Sequence, residues 1–360
     1  MNRKYWYWIN NIEGIGNAKI RGMFAFAPDP YAVFQMKEDD LRNIPSLSDS
    51  DIRNILSQNN RVRILEEYDR LTEKGVKFVF PYEEEYPSRL KELYDMPYIL
   101  YYRGSLPEDN RPGIAIVGSR RCSEYGRHVA FELGRVLSDA GANVISGLAL
   151  GIDSSAHRGA IMGGGRTFGV LAGGVDKCYP PGNYNLYCDI INSGGVISEF
   201  PGNISTKPGM FPLRNRIISG MSDAVIVVEA GKKSGSLITA AFALNQNRDV
   251  FAVPGRLGDP LGVGCNELIS EGAMVVTDYD KILSELGLKS HNCNEMQDNI
   301  TLANEEKMLY STLLDFTPKS LETLTTLTKL DAGVVVKTLI SLEVKGIIRE
   351  IGKNFYVRVI

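Results

Sequence analysis

The sequence predicts an α/β fold with a parallel sheet at its centre, helices on both faces of the sheet and a smaller unit at either end of the chain. Between residue 113 and about residue 287, short apolar runs alternate with helical patterns, as in a doubly wound sheet. Turns that contain glycine follow several of these runs, and the connections are short. The 360 residues are enough for two or three domains and a large buried core.

Composition and charge limit the class of protein. The net charge of −3 argues against a uniformly basic nucleic-acid coat and is compatible with a local basic stripe. Five cysteines without a C-x-x-C spacing favour a reduced protein without a zinc site. The chain begins without a signal-peptide pattern, and no run approaches the roughly 20 apolar residues of a membrane span. We therefore expect a cytoplasmic protein with no membrane contact, metal or cofactor.

Residues 1–60 are predicted to form a small helical module. Gly14 and Gly16 make a Gly-x-Gly turn before an amphipathic segment, and such a turn lets a hairpin of helices approach a nucleic-acid backbone closely. The second candidate turn, at residues 44–47, lacks the glycines. A module for protein interaction and a module for DNA binding therefore both remain open.

Residues 61–110 are predicted to connect this module to the core. The pattern indicates a charged helix over 61–74, a strand over 76–80 and an apolar strand over 96–104. A polar run with prolines at 107–112 separates the connector from the next unit.

The core, residues 111–287, is predicted from its repeated order of strand and helix. Val129 and Leu133 lie on one face of a helix over 127–140, and a second helix follows over 154–162. We place the strands at residues 113–117, 143–146, 167–171, 195–198, 224–228, 250–253 and 274–276.

The C-terminal region is predicted to be a separate unit. Residues 288–304 are polar and lack periodicity, as in a linker. Within residues 305–360, Ser320 and Asp331 are positioned to cap the second and third of three helices, and a hairpin turn follows at Gly352. Three helices followed by a β-hairpin is the order of elements in a winged helix.

The first candidate motif for a binding site follows the first core strand. In an open parallel sheet, ligands bind beyond the carboxyl ends of the strands. Gly118 and Ser119 would offer backbone N–H groups to a phosphate there, and the planar Arg120 guanidinium would neutralise its charge. The alternative is a tight turn with a solvated arginine, and an isolated motif of this kind would favour that alternative.

A second motif follows the strand at 143–146. Gly147 and Gly151 allow a close approach of backbones, and Asp153 is positioned to cap the next helix. We interpret His157 as a packing or capping residue in preference to a ligand contact.

A third segment carries two cations beside an aromatic ring. Arg214 and Arg216 flank Asn215, and Phe211 stands four residues before the asparagine. Rings and cations suit single-stranded nucleic acid, because its bases stack and its phosphates need neutralisation. Pairing of the arginines with nearby acids, Glu199 among them, is an equal alternative.

The fourth motif follows the most apolar strand. Lys232 and Lys233 add charge, and Ser234, Gly235 and Ser236 can bind phosphate at a helix N-terminus. The Gly-Lys-Ser/Thr order of a Walker loop is missing, and no G-x-G-x-x-G follows the first strand. The sequence shows no Ser-His-Asp order and no placed pair of carboxylates that would indicate catalysis.

Taken together, these motifs resemble the DprA/Smf family. The matching segments lie in order over about residues 76–280 and are highly specific in combination. They are Tyr86-Pro87, the strand from Met96 to Gly104, Val117-Gly118-Ser119-Arg120, the run from Ser146 to His157, the run from Pro212 to Gly220, Glu229-Ala230, Ser234-Gly235-Ser236 with Thr239-Ala240, Val253-Pro254-Gly255, and Gly264-Cys265-Asn266 with Leu268-Ile269.

The resemblance implies a Rossmann-like core that binds single-stranded DNA and forms a homodimer. It further implies a protein without enzymatic activity that helps to load the RecA recombinase during natural transformation. The N-terminal module would correspond to a helix-hairpin-helix or SAM-like extension, and the C-terminal unit to a winged helix. Because the third helix of that unit offers Lys337 and, just beyond it, Lys345 as its cations, contact with protein and contact with DNA remain equally open there.

The resemblance also implies the residues that would bind DNA. Lys207 and Phe211 would supply a cation and a stacking ring, and the remaining positions come from the motifs above. The implied DNA-binding residues are Gly118, Ser119, Arg120, Gly147, Lys207, Phe211, Arg214, Asn215, Arg216, Ser234, Gly235 and Ser236.

Two other functions remain open at this stage. An enzyme that acts on nucleoside monophosphates would also use phosphate-binding turns, and Glu229 would give it a carboxylate at the sheet edge. The Arg-Asn-Arg cluster exceeds what one phosphate needs and no second acid or base is placed, which disfavours the enzyme. The third possibility is a scaffold whose terminal modules recruit partners.

Overall fold

The N-terminal region is helical in the computed structural model, which describes residues 3–73, 76–202, 204–289, 302–314 and 316–358. Trp6, Tyr7 and Trp8 are consecutive and all buried, because the first helix is covered by other elements on most of its circumference. The described helices here are α1 (Arg3–Asn10), α2 (Asn17–Phe24), α3 (Pro30–Gln35), α4 (Glu38–Arg42), α5 (Asp49–Leu56) and α6 (Gln58–Glu73).

The central sheet has nine strands within the described residues. They are β1 (Lys77–Val79), β2 (Leu100–Gly104), β3 (Gly113–Val117), β4 (Asn143–Ser146), β5 (Thr167–Val170), β6 (Gly195–Ser198), β7 (Ala224–Val227), β8 (Asp249–Ala252) and β9 (Met274–Val275). Their spatial order is β1-β2-β6-β5-β4-β3-β7-β8-β9, and β3 to β9 are mutually parallel. The parallel sheet that the strand–helix alternation predicts is therefore confirmed.

Helices cover both faces of the sheet, and alternate residues of each strand face them. The bounds of the core helices are α7 (Ser88–Lys91), α8 (Glu124–Asp139), α9 (Ile152–Met162), α10 (Tyr184–Ser193), α11 (Met210–Gly220), α12 (Gly235–Asn245), α13 (Val263–Ser270) and α14 (Tyr279–Glu285). Ile114 and Ile116 pack with α8, α9 and α14, whereas Ala115 and Val117 pack with α7, α11, α12 and α13.

The predicted connector is continuous with its neighbours in the structure. Helix α6 runs through residue 60, where the sequence places a boundary. Strands β1 and β2 join the central sheet as an antiparallel edge, in which Tyr101 of β2 pairs with Ser198 of β6. The helical module packs on this edge, and the rings of Tyr7 and Tyr101 lie 6.2 Å apart. Most of the predicted linker, 290–301, lies outside the described residues.

The C-terminal unit has the predicted order of three helices and a hairpin. Its elements are α15 (Asn304–Ser311), β10 (Lys319–Ser320), α16 (Leu321–Thr328), α17 (Ala332–Val344), β11 (Ile348–Gly352) and β12 (Phe355–Arg358). Ser320 and Asp331 accept N-capping hydrogen bonds from Thr323 and Gly333, as predicted. The short strand β10, which the sequence pattern did not indicate, pairs with β12. The winged-helix assignment itself stays a prediction.

The C-terminal unit contacts the core at the start of α8. Arg349 donates a 2.5 Å hydrogen bond to Glu124, and the Phe316 ring stacks on His128 with 4.5 Å between the centroids. A cavity of about 510 Å³ lies between the two units and is lined by Tyr125 on the core side.

Candidate nucleic-acid interface

The loops that carry the sequence motifs meet at the carboxyl edge of the sheet. Strand β3 lies between β4 and β7, and the strand order reverses there, which is the usual place for a ligand in an open parallel sheet. The loops pack at backbone distance: the Ser119 amide donates to the Glu229 carbonyl at 2.7 Å. The prediction that this amide is offered to a phosphate is therefore wrong, because the neighbouring loop already accepts its hydrogen bond. A Cβ atom on Gly118 would lie 2.6 Å from the Ile152 side chain, so this position requires glycine for close approach.

These loops enclose an open cavity of about 250 Å³. It combines cations, hydroxyl groups and one aromatic ring with an apolar base. The lining residues are Val117, Gly118, Ser119, Arg120, Ala149, Asp153, Phe211, Arg214, Asn215, Ile218, Ser234, Gly235, Ser236 and Thr239. Nine of the twelve predicted binding residues therefore lie around one cavity.

Arg214 forms the buried cationic wall of the cavity. Its Nη1 donates to the Gly147 carbonyl at 2.7 Å and to the Val170 carbonyl, and its Nε donates to Asn215 at 3.1 Å. Burial, aided by the charge of Arg120, lowers the pKa of Arg214 to about 10, so the guanidinium stays charged at neutral pH. Gly147 lies behind this side chain, since a Cβ atom there would come within 2.5 Å of Nη1.

Asp153 has a different role from the predicted helix cap. The residue at the cap of α9 is Gly151, and Asp153 lies within the first turn. Its carboxylate accepts hydrogen bonds from the Gly147 and Ala149 amides at 3.1 and 3.3 Å. Burial raises the pKa of Asp153, although Arg214 acts in the opposite direction. Sequence reasoning missed it as a cavity residue, because a carboxylate early in a helix is usually a cap.

Arg120 and Phe211 form the exposed rim of the cavity. The Arg120 guanidinium carbon lies 4.6 Å from the centroid of the Phe211 ring, within the range of a cation–π contact. This pair places a cation over an aromatic face, although the two residues are 91 positions apart. A nucleobase and its phosphate have the matching chemistry.

The N-terminal end of α12 closes the third side. Ser234 is the N-cap residue and its hydroxyl accepts from the Ser236 amide at 3.4 Å. The first amides of a helix have no partner inside the helix, and the helix dipole adds positive potential at this end. Together with Arg120 and Arg214, the start of α12 makes the cavity attractive to anions.

Three of the predicted residues lie outside the lining of the cavity. Gly147 supports Arg214 from behind, and Lys207 is exposed just before α11. Arg216 points elsewhere: it is 5% exposed and pairs with Glu199 at 2.5 Å and with Asp95 at 3.3 Å. Arg216 therefore pairs with acids, as the alternative interpretation of the sequence proposed, and does not line the cavity.

Other polar groups near the sheet edge have structural partners. Glu229 accepts from the Ser123 amide at 2.9 Å and from its hydroxyl at 2.5 Å, at the start of α8. His157 is fully buried, and its Nδ1 lies 2.6 Å from the Thr167 hydroxyl. Burial and the charge of Arg214 lower the pKa of His157 to about 3, in agreement with a packing role.

Among the described residues, no group of three or more His, Cys, Asp and Glu side chains is arranged to hold a metal ion. Among the described helices, none combines the length and the apolar character that crossing a bilayer requires.

Comparison with known proteins matches this core to one family. The model of the family DNA recombination-mediator protein A matches residues 77–287. The DNA processing protein DprA of Streptococcus pneumoniae is 44% identical over 201 residues, which are 56% of this chain and 71% of that protein.

Two solved structures share the fold. The X-ray structure of DNA processing protein A from Streptococcus pneumoniae aligns with a TM-score of 0.67 at 32% identity, over 78% of this chain and 97% of its own. The structure of DNA processing protein A from Helicobacter pylori, described for its mode of binding single-stranded DNA, aligns with a TM-score of 0.52 at 29% identity. That alignment covers 58% of this chain and 95% of the Helicobacter pylori chain.

Proposed function

Because the chain belongs to the DNA recombination-mediator protein A family, we propose that its sheet-edge cavity binds single-stranded DNA. The observation that carries this proposal is the convergence of Arg120, Arg214 and the start of α12 on one cavity. Guanidinium groups and helix-start amides bind phosphate, and the Phe211 ring offers a face to a base. Since stacking and phosphate contacts do not depend on base identity, the binding tolerates many sequences.

The polar groups at the sheet edge favour binding over catalysis. An enzyme acting on nucleoside monophosphates would need Glu229 as a free acid or base, but Ser123 donates two hydrogen bonds to that carboxylate. Asp153 is likewise engaged by two loop amides. These contacts hold the carboxylates as structural groups of the loops, and the proposed function is non-enzymatic.

The proposal is tested by the substitution Arg120→Ala. Arg120 is exposed at the rim, so its removal should leave the thermal unfolding temperature unchanged. We expect the affinity for a single-stranded oligonucleotide to fall about tenfold at low salt, because one phosphate contact is lost. The slope of log K against log salt should also become shallower by about 0.7, the value for one neutralised phosphate on a single strand. A salt-titrated gel shift measures both quantities.

Arg121→Ala is the matched control. Arg121 is the next residue, has the same charge and is also exposed, but it does not line the cavity. We expect the control to keep nearly the wild-type affinity and salt slope. Equal losses in the two variants, or wild-type binding in Arg120→Ala, would contradict the assignment of the cavity. A duplex oligonucleotide of the same length should bind the wild type more weakly than the single strand.

Family membership supports a wider proposal, which goes beyond the cavity. We propose that the chain acts in the cytoplasm as a homodimer formed through the core, and that it loads RecA on incoming single-stranded DNA during natural transformation.

Sedimentation of the DNA-free protein at several concentrations tests the homodimer. Formation of RecA filaments on DNA covered by single-strand binding protein, with and without this chain, tests loading, and equal rates of filament formation would contradict it.

A further inference from the structure

Two exposed tyrosines lie beside the cavity and belong to none of the sequence motifs for binding. Tyr179 is 45% exposed, and its ring centroid lies 5.9 Å from that of Phe211. Tyr184 is 60% exposed, and one face of its ring stacks on Tyr187 with 6.1 Å between the centroids. We call Tyr179 and Tyr184 the tyrosine patch.

The segment that carries the patch is fixed to the wall of the cavity by Asn183. This residue is buried, and its Nδ2 donates to the Leu148 carbonyl at 2.9 Å, the Ala149 carbonyl at 3.3 Å and the Ser154 hydroxyl at 2.9 Å. Ala149 itself lines the cavity. The patch therefore has a set position relative to the cavity, which reduces the entropy that a ligand must remove on binding.

Cations accompany the exposed rings. Lys177 lies two residues before Tyr179, is exposed and donates to the Ser205 hydroxyl at 2.8 Å. Lys207 is exposed on the segment that this hydrogen bond holds in place. The nearby acid Asp176 is neutralised by Arg103 at 2.5 Å. Aromatic faces with cations beside them are the surface that single-stranded nucleic acid binds, since bases stack on the rings and phosphates contact the cations.

We propose that the tyrosine patch is a second base-stacking surface, on which a single strand held in the cavity lays the bases next to the one at Phe211. This inference rests on the proposed function of the cavity. The ring of Tyr179 beside Phe211 makes the two surfaces contiguous, so one strand spans both without leaving the protein. The two tyrosine rings add affinity through stacking and contribute little to the salt dependence, because the charge on this surface belongs to Lys177 and Lys207 and not to the rings.

The test compares Tyr179→Ala and Tyr184→Ala on oligothymidines of two lengths. A strand of about four nucleotides reaches the cavity alone, whereas one of about twelve also covers the patch. We expect each variant to bind the long strand about tenfold more weakly than the wild type, and the short strand equally well. The salt slope should stay at the wild-type value, unlike that of Arg120→Ala. Tyr179→Phe and Tyr184→Phe should keep wild-type affinity, because stacking needs the ring and not the hydroxyl.

Tyr31→Ala is the control for loss of an exposed tyrosine. Tyr31 is 50% exposed on α3, in the N-terminal module, and its ring contacts Tyr5. Thermal unfolding of every variant tests whether the fold is intact.

If Tyr179→Ala and Tyr184→Ala bind the long strand like the wild type while Arg120→Ala is impaired, the inference fails and the proposed function stands. If the wild type binds neither strand, the proposed function itself fails. A change in the sedimentation of DNA-free protein with unchanged DNA affinity would make the patch a protein contact and would overturn the inference.

Discussion

His157 is a buried residue whose titration should affect stability. It is fully buried, its Nε2 has no hydrogen-bond partner among the described residues, and burial together with the charge of Arg214 lowers its pKa to about 3. Above pH of about 6.5, the ordinary pKa of histidine, the ring is neutral in the folded and the unfolded chain and contributes no pH dependence. Below that pH the unfolded chain binds a proton that the folded chain does not bind, so stability decreases as the pH falls.

We predict that His157 costs about 2 kcal/mol of unfolding free energy between pH 8 and pH 5. The substitution His157→Gln removes this titration and keeps a polar atom near the Thr167 hydroxyl, the present partner. Urea unfolding of both proteins at pH 8 and pH 5 gives the pH-dependent change in unfolding free energy for each. Comparing these two changes cancels any packing cost of the glutamine that is the same at both pH values. The same pH dependence in wild type and variant would show that another group is responsible.

Arg214 and Arg216 show what a residue pattern reveals about a site. The sequence identifies both as candidates, yet one lines the cavity and the other pairs with Glu199 and Asp95. Residues two apart on a helix point in nearly opposite directions, since each residue turns the helix by about 100°. The helical period therefore means that only one of the two arginines can line the cavity. The packing of α11 on the sheet decides that this residue is Arg214.

Helices α8 and α9 pack unusually closely because glycines lie at their contact. A Cβ atom on Gly159 would lie 1.9 Å from the Phe131 carbonyl, and one on Gly134 would lie 2.2 Å from the Ala156 carbonyl. The clash in each case is with backbone of the other helix, which no change of rotamer can relieve. The two helices would have to separate, and α9 begins beside the cavity at Asp153.

We predict that Gly159→Ala lowers the unfolding free energy by about 2 kcal/mol. The clash is with backbone, so the overpacking cost should lie near the upper end of the usual range of about 1–3 kcal/mol. That cost exceeds the gain of about 1 kcal/mol in helix propensity that alanine brings. Gly209→Ala is the control, since Gly209 has right-handed helical backbone angles at the start of α11 and open space at its Cβ position. Urea unfolding should show Gly209→Ala to be neutral or slightly more stable, and equal stability of both variants would contradict the close contact.

At the scale of the whole molecule, polar contacts hold the C-terminal unit on the core. Arg349 and Glu124 form an ion pair between the two units, and Arg256 donates to the Thr317 hydroxyl at 3.2 Å. Half of the Arg349 side chain is exposed. The substitution Arg349→Glu places two carboxylates together, and we predict that it weakens docking by about 1 kcal/mol, the scale of an exposed ion pair. Small-angle scattering should show a larger radius of gyration.

Two further variants define this effect. Exchange of both charges, Glu124→Arg with Arg349→Glu, should restore the wild-type radius. Arg166→Glu is the control, because Arg166 pairs with Glu108, which also lies outside the C-terminal unit, and its reversal leaves the two units together. An unchanged radius in Arg349→Glu would mean that the other contacts, those of Phe316 and Thr317, suffice to hold the unit.

The sequence was sufficient to predict the parallel strands and insufficient to predict where the first two strands pair. Strands β3 to β8 are short apolar runs bounded by turn residues, and this local signal survives in any context. Strands β1 and β2 carry the same signal, but their antiparallel pairing with β6 depends on a contact between Tyr101 and Ser198, about a hundred residues apart. Periodicity reports which residues a strand buries and not which strand lies beside it.

The exposed rings extend the surface of the cavity beyond its own lining. Tyr179 contacts Phe211 at the rim, and Tyr184 follows on the same segment, both open to solvent. Under the proposed function, a strand bound in the cavity continues over these rings. Its nuclease footprint should accordingly be longer than the few nucleotides that the cavity alone would cover.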